Sequence, residues 1–188
     1  MIHEVAHGYV AFVFGDPTAK YEGRLTLNPL KHIDFFGSIF LPAILLLTNS
    51  GILFGWAKPV PYNPYNLKNR RLAEGMIALA GPVTNLTLAS IFAVMGRIFV
   101  SYNLVSVEFM KIIVMVVIIN VGLALFNLIP LPPLDGSKII SLVLPRDWGV
   151  RLQRIDFMGM FIILLIVAFY GEYLGKVVLS MAGWLLGM

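Results

Sequence analysis

The sequence predicts an all-α polytopic membrane protein of about five to six transmembrane helices, joined by short strand-like and proline-rich interfacial segments. Three observations carry this expectation. Of 188 residues, 59% are hydrophobic and 13% charged, and mean hydropathy is +0.85; soluble domains average about half apolar and a quarter charged. The apolar residues fall in blocks, several of them near the ~20 residues a helix needs to cross a bilayer core. No connection between blocks could hold an extra folded domain of even ~50 residues. Residues 1–188 therefore read as one integral-membrane domain, with a core over about 1–140 and a C-terminal membrane segment at 155–187.

Taken in order, residues 2–15 read as helix up to Gly15-Asp16-Pro17, about 20 Å at 1.5 Å per residue and short for a span. The expectation is that an N-terminal part, including a preceding span, is missing. Residues 37–55 are long enough to span, with Pro42 and Asn49-Ser50-Gly51 as distortions. Residues 73–100 form a longer run in which AGPVTN (Ala80 to Asn85) predicts a kinked, closely packed helix. Residues 107–129 are the cleanest span, interrupted by Asn120 and ended by Asn127 and Pro130. Residues 155–187 exceed one upright helix, and Gly171-Glu172-Tyr173 divides them, which leaves a kinked helix and a short hairpin both open.

Of the polar segments, 16–34 has an alternating patch at Tyr21 to Leu27 that predicts a short strand. Residues 55–71, rich in proline and aromatics, predict extended interfacial structure. Residues 130–154 begin polyproline-like and turn helical after Asp135. Alternating spans put 55–71 and 130–154 on one face, which carries Lys58, Lys68, Arg70, Arg71, Lys138, Arg146, Arg151 and Arg154. Lys20, Arg24, Lys31, Arg97 and Lys111 lie on the other. The positive-inside rule makes the first face cytoplasmic, and the membrane expected is the plasma membrane.

Composition also excludes. With no cysteine there is no disulfide framework, thiol nucleophile or thiolate zinc site. The net charge of +4 comes without a basic run interleaved with aromatics, so no nucleic-acid partner is expected; the surplus lysine and arginine is assigned to lipid headgroups. No signal peptide is visible, because His3 and Glu4 stand where a basic n-region belongs.

The chemistry concentrates in HEVAH. Two of the three histidines lie within five positions, His3 and His7. On a helix they share one face about a turn apart and can grip one zinc ion, and Glu4 between them can take a proton from water at the metal. Ionisable groups cost about 2.5 kcal/mol or more each inside an apolar segment, so their presence there needs a reason; at the chain start they can also simply be solvated. A catalytic zinc needs a third protein ligand and an open position. Asp135, in NLIPLPPLDGSKII, fits that role by its apolar setting and its place on the same face as HEVAH. Its alternative is an N-cap for the helix beginning near Gly136. His32 reads as a structural or interfacial histidine. Thr84, Asn85, Thr87, Asn120 and Asn127 are candidates for a polar lining or for helix–helix hydrogen bonds.

HEVAHGY, LNPLKHID, GWAKPVPYNP, AGPVTN and NLIPLPPLDG, in that order, closely resemble the site-2 protease family of intramembrane zinc metalloproteases, in its short branch without a PDZ domain. The resemblance covers residues 1 to about 140. It implies His3, His7 and Asp135 as ligands of one Zn2+ per chain, Glu4 as general base, and Asn127 as a polar group near the substrate carbonyl or its oxyanion. It also implies a membrane-spanning protein substrate in the lipid bilayer; oligomeric state is unknown from the residues. The proline-rich loop or the strand-like 21–27 patch could receive an unwound substrate by edge pairing. Other classes to weigh are a catalytically silent membrane scaffold of the same fold and a membrane metal-binding or transport protein. A serine–histidine or aspartyl dyad lacks its residues: no histidine follows His32, and Asp135 is the only aspartate placed to serve.

Overall fold

A computed structural model describes residues 1–48, 58–145 and 156–188. These are helical and contain no strand. In chain order the α-helices are α1 (Ile2–Val13), α2 (Thr18–Tyr21), α3 (Leu41–Leu47), α4 (Arg70–Ser101), α5 (Val107–Asn127), α6 (Asp135–Ile140) and α7 (Asp156–Leu186). A π-helical stretch, Phe35–Phe40, leads into α3, and 3-10 turns occupy Pro29–Lys31 and Pro64–Asn66. The chain divides into two compact units, Met1–Ala73 and Glu74–Met188.

In the first unit α1 packs against α2. The proline-rich segment runs beside α1 in the same direction: Val60 bonds at Glu4, and Lys68 N–H donates to Phe14 C=O at 2.9 Å. Asp16, fully buried, ties the end of α1 to this segment. It accepts hydrogen bonds from Thr18 N–H and Oγ1, Asn63 N–H at 2.7 Å and Asn66 Nδ2 at 2.8 Å. Burial by itself raises the proton affinity of this carboxyl. The bonds from Thr18, Asn66 and Asn63 outweigh it and hold the pKa below the usual carboxylate value. Gly15 makes the turn at φ +103°, a conformation that disfavours a side chain.

Two expectations fail here. Tyr21 to Leu27 is not a strand: Tyr21 closes α2, and Gly23 turns the chain at φ +62°. A patch of seven residues with no partner strand has nothing to complete its ladder. Nor are segments 16–34 and 55–71 held apart by a bilayer's width. Lys58 N–H donates to His32 C=O at 2.9 Å, and Arg24 Nη2 donates to Pro59 C=O at 3.2 Å. Arg24, assigned to headgroups by its charge, is 6% exposed.

Three described helices are long and apolar enough to cross a membrane, Arg70–Ser101, Val107–Asn127 and Met158–Leu186, and all of their length but the first turn of α4 lies in the second unit. Of the expected 37–55 span, the helical part Phe35–Leu47 is too short by itself, and 49–57 lie outside the described residues. The five to six spans expected thus stand at three on this description. Helix α4 continues through Pro82 without a break, and α7 is one helix of 31 residues through Gly171-Glu172-Tyr173, so the hairpin alternative is excluded. At 1.5 Å per residue α4 and α7 are each about 45–50 Å long.

The unit's core repeats every fourth residue. Ala89 and Ala93 of α4, Ile113, Val117 and Val121 of α5, and Ala182 and Leu186 of α7 form one buried cluster. Spacing of four aligns side chains on one helix face, and alanines let helices approach closely in lipid, where packing replaces the hydrophobic drive. Polar residues on these helices mostly bond within their own backbone: Thr87 to Val83 C=O, Ser90 to Leu86 C=O and Asn120 to Val116 C=O, each at 2.8–2.9 Å. Arg97 Nη2 donates to Trp184 C=O at 2.8 Å, satisfying an end carbonyl of α7.

Candidate metal centre

Helix α1 puts His3, Glu4 and His7 in its first two turns, each half-buried. The i, i+4 spacing stacks the two imidazoles on one face. Their Nε2 atoms lie 3.0 Å apart, with ring centroids 4.5 Å apart and planes nearly perpendicular. Two nitrogens on one tetrahedral zinc, each about 2.0–2.1 Å from it, stand about 3.3 Å apart, so the pair fits a shared ion. Without a metal, one ring's Nε2–H can donate to the other's bare Nε2.

Glu4 is fixed from outside its helix. Its Oε2 accepts a hydrogen bond from Val60 N–H at 3.1 Å. Oε1 carries no hydrogen bond from the described residues, which leaves one oxygen anchored and the other able to take a proton. Gly8 makes this geometry possible. A Cβ at Gly8 would sit 2.7 Å from Val60 Cγ1 and 2.8 Å from Leu25 Cδ2, so a larger residue would force the Val60 and Leu25 side chains to shift.

Asn127 and Asp135 belong to the second unit, at the two ends of a turn over residues 128–134. Asn127 is the last residue of α5, and its Nδ2 donates to Leu123 C=O at 2.9 Å; an amide has a second N–H to offer. Asp135 is half-buried, with Oδ2 shielded from solvent. It is the first residue of α6, whose N-cap is Leu134. The N-cap alternative for Asp135 therefore does not hold, since its own backbone is already helical. Gly136 is required by contact: a Cβ there would collide with the carbonyl oxygens of Leu128 and Ile129. Gly159 of α7 likewise leaves room for the Pro132 carbonyl. Two glycines thus let the turn fold tightly under Asp135.

Gly8, Arg24 and Val60 were not singled out from the sequence. The available signal was the Pro-Val-Pro at 59–61, where Val60 carries the single backbone N–H between two prolines. His32 is as expected a structural histidine: 4% exposed, with Nε2 2.8 Å from Thr26 C=O.

A histidine pair one turn apart enclosing a glutamate, together with three described helices of bilayer length, is the pattern of a membrane protein of the HExxH metalloprotease type. The chain belongs to Peptidase family M50, the site-2 protease family. The family description matches residues 97–167, which include Asn127 and Asp135. "Putative zinc metalloprotease YwhC" of Bacillus subtilis is 40% identical over 181 residues, covering 92% of this chain and 78% of the relative. "Putative zinc metalloprotease Rip2" of Mycolicibacterium smegmatis is 33% identical over 135 residues, 72% of this chain and half of the relative. "Putative zinc metalloprotease MJ0611" of Methanocaldococcus jannaschii is 32% identical over 146 residues, 75% of this chain and 64% of the relative. No solved structure matches the chain.

Proposed function

We propose that this chain is an intramembrane zinc metalloprotease, acting as a single catalytic domain that hydrolyses peptide bonds of membrane-spanning proteins, with one zinc held by His3, His7 and Asp135. The observation that carries the reading is the histidine pair, two imidazole nitrogens 3.0 Å apart with Glu4 in the same turn. The family and the names of its relatives support it. Zinc, when bound, supplies the Lewis acidity that brings water's pKa down to about 7 and polarises the scissile carbonyl.

The chain's own residues do the rest. Glu4 takes the proton of the attacking water on Oε1, while Oε2 stays on the Val60 N–H, and then delivers that proton to the leaving amine. Asn127 offers an amide N–H to the developing oxyanion. A helical substrate hides its carbonyls in i to i−4 bonds, so it must unwind locally before attack. Edge pairing on residues 58–61 is disfavoured, because Pro59 and Pro61 have no N–H and those of Lys58 and Val60 are already bonded. Arg70 and Arg71 at the start of α4 and Lys138 in α6, against Arg97 and Lys111 at the opposite helix ends, favour an active site toward the cytoplasm, and the membrane proposed is the plasma membrane.

The test is cleavage of a single-span reporter by the purified protein in liposomes. Glu4→Gln is expected to lower the rate about 10²–10⁴-fold and to keep the parent's zinc content. Undiminished cleavage would remove the protease reading and bring forward a membrane metal-binding or scaffold role.

A further inference from the structure

Arg24 is buried, whereas Lys20 and Lys31 in the same segment are exposed. A buried guanidinium is costly unless its donors are used, and the Arg24 Nη2 donates to the carbonyl of Pro59. That carbonyl and the Val60 N–H are the two ends of one planar peptide group. The N–H end of the same group donates to Glu4 Oε2. A single peptide therefore joins the Arg24 guanidinium to the Glu4 carboxylate, at 3.2 Å on one side and 3.1 Å on the other.

The surroundings hold this peptide in place. Pro59 and Pro61 restrict the backbone on either side. Lys58 N–H is anchored on His32 C=O. Leu25, next to Arg24 in sequence, and Val60 both lie close against Gly8. Charge on the carbonyl side of a peptide strengthens its N–H as a donor, since hydrogen bonds in a chain polarise one another.

We propose that Arg24 is a positioning residue for the general base. It orients and polarises the Pro59–Val60 peptide, which in turn holds one oxygen of Glu4 and turns the other toward the water to be deprotonated. The proposal rests on the reading of Glu4 as that base. On this proposal Arg24 acts through the peptide and not on the substrate or the metal, so its loss should lower kcat and leave KM and zinc content as they are.

The chain has two Pro–Val peptides, Pro59–Val60 and Pro82–Val83. Protein labelled with 13C-carbonyl proline and 15N-valine in detergent therefore yields two selected amide signals, and Val83, within α4, is an internal control. The Val60 amide proton is expected downfield in the parent. It should move upfield in Glu4→Gln and in Arg24→Lys, with Val83 unmoved in both. On a reporter substrate, Arg24→Lys should lie between the parent and Arg24→Ala in kcat, and Arg24→Ala should fall about 10- to 100-fold. Val60 standing still in Arg24→Lys would overturn the proposal. So would kcat unchanged while Val60 moves, or zinc lost along with kcat. A parent inert on every reporter, with Val60 still answering both substitutions, would defeat the protease reading and leave the Arg24–Glu4 linkage standing.

Discussion

The two compact units are held together by different physics. In Met1–Ala73 the buried residues include Asp16, Arg24 and His32, and the segments are short, proline-rich or turned. Their order comes from hydrogen bonds between side chains and backbone groups far apart in sequence. In Glu74–Met188 the core is an apolar stripe of alanine, valine, isoleucine and leucine along three long helices, and hydrogen bonding is mostly internal to each helix. A helix satisfies its own backbone, so it needs only a packing face to sit in lipid. Irregular segments must find partners for every buried N–H and C=O. The proposed base lies in the unit built by polar contacts, where one peptide can be aimed at one carboxylate. The price is sensitivity to charge.

The largest expected effect would break the division itself, because the proposed metal takes ligands from both units. His7→Ala and Asp135→Ala should each remove most of the zinc, read as metal per chain by atomic emission on detergent-purified protein. Zinc retained in Asp135→Ala would confine the metal to the first unit and end the three-ligand proposal.

Next in size is Asp16→Asn, which sharpens the polar side of the comparison. An amide keeps one acceptor oxygen but turns its NH2 toward donors that Asp16 now satisfies. With its oxygen at the Oδ1 position the amide still serves Thr18 and Asn66 but sets its NH2 against the Asn63 N–H; losing that bond to a charged acceptor should cost about 1.5–3 kcal/mol, seen as a lower thermal midpoint. The pH dependence has a definite sign. Because the folded carboxyl has a lowered pKa, its stabilisation is full above the unfolded value of about 4 and is lost as pH falls through the folded value. Asp16→Asn should flatten the acid limb of a stability profile, and an unaltered limb would assign that limb to other groups.

The smallest of the three tests the steric side. Gly136→Ala would drive a methyl group into the carbonyls of Leu128 and Ile129, at a cost of about 1–3 kcal/mol. Weaker zinc affinity with α-helical content preserved is the expected result, measured by competition with a chelator. Full affinity would mean that the turn can yield without moving Asp135.

Much of the site could be read from residues alone because its chemistry is local. The i, i+4 histidines and the glutamate between them need nothing but a helix to share a face, and α1 supplies it. Helices α4 and α5 were legible within a few residues for a similar reason: long apolar runs satisfy their backbone internally whatever their neighbours. The alternation at 21–27 misled because period two has meaning only beside a partner strand. Charge counting misled at Arg24, since a cation's place depends on the carbonyl it meets, and Pro59 lies 35 positions away. The division at 171–173 was equally open, because one glycine inside a long apolar helix costs only about 1 kcal/mol.

By itself the sequence determined the membrane character, the long helices and the HExxH group, which follow from composition and from spacing along one helix, and the family, which follows from the resemblance of its ordered motifs. Only the tertiary structure decided that Val60 holds Glu4, that Gly8 makes room for it, and that Arg24 and Asp16 are buried partners instead of surface charges. Those outcomes depend on where distant backbone donors and acceptors come to rest, and the free energy of burying a polar group is set by the partner it finds.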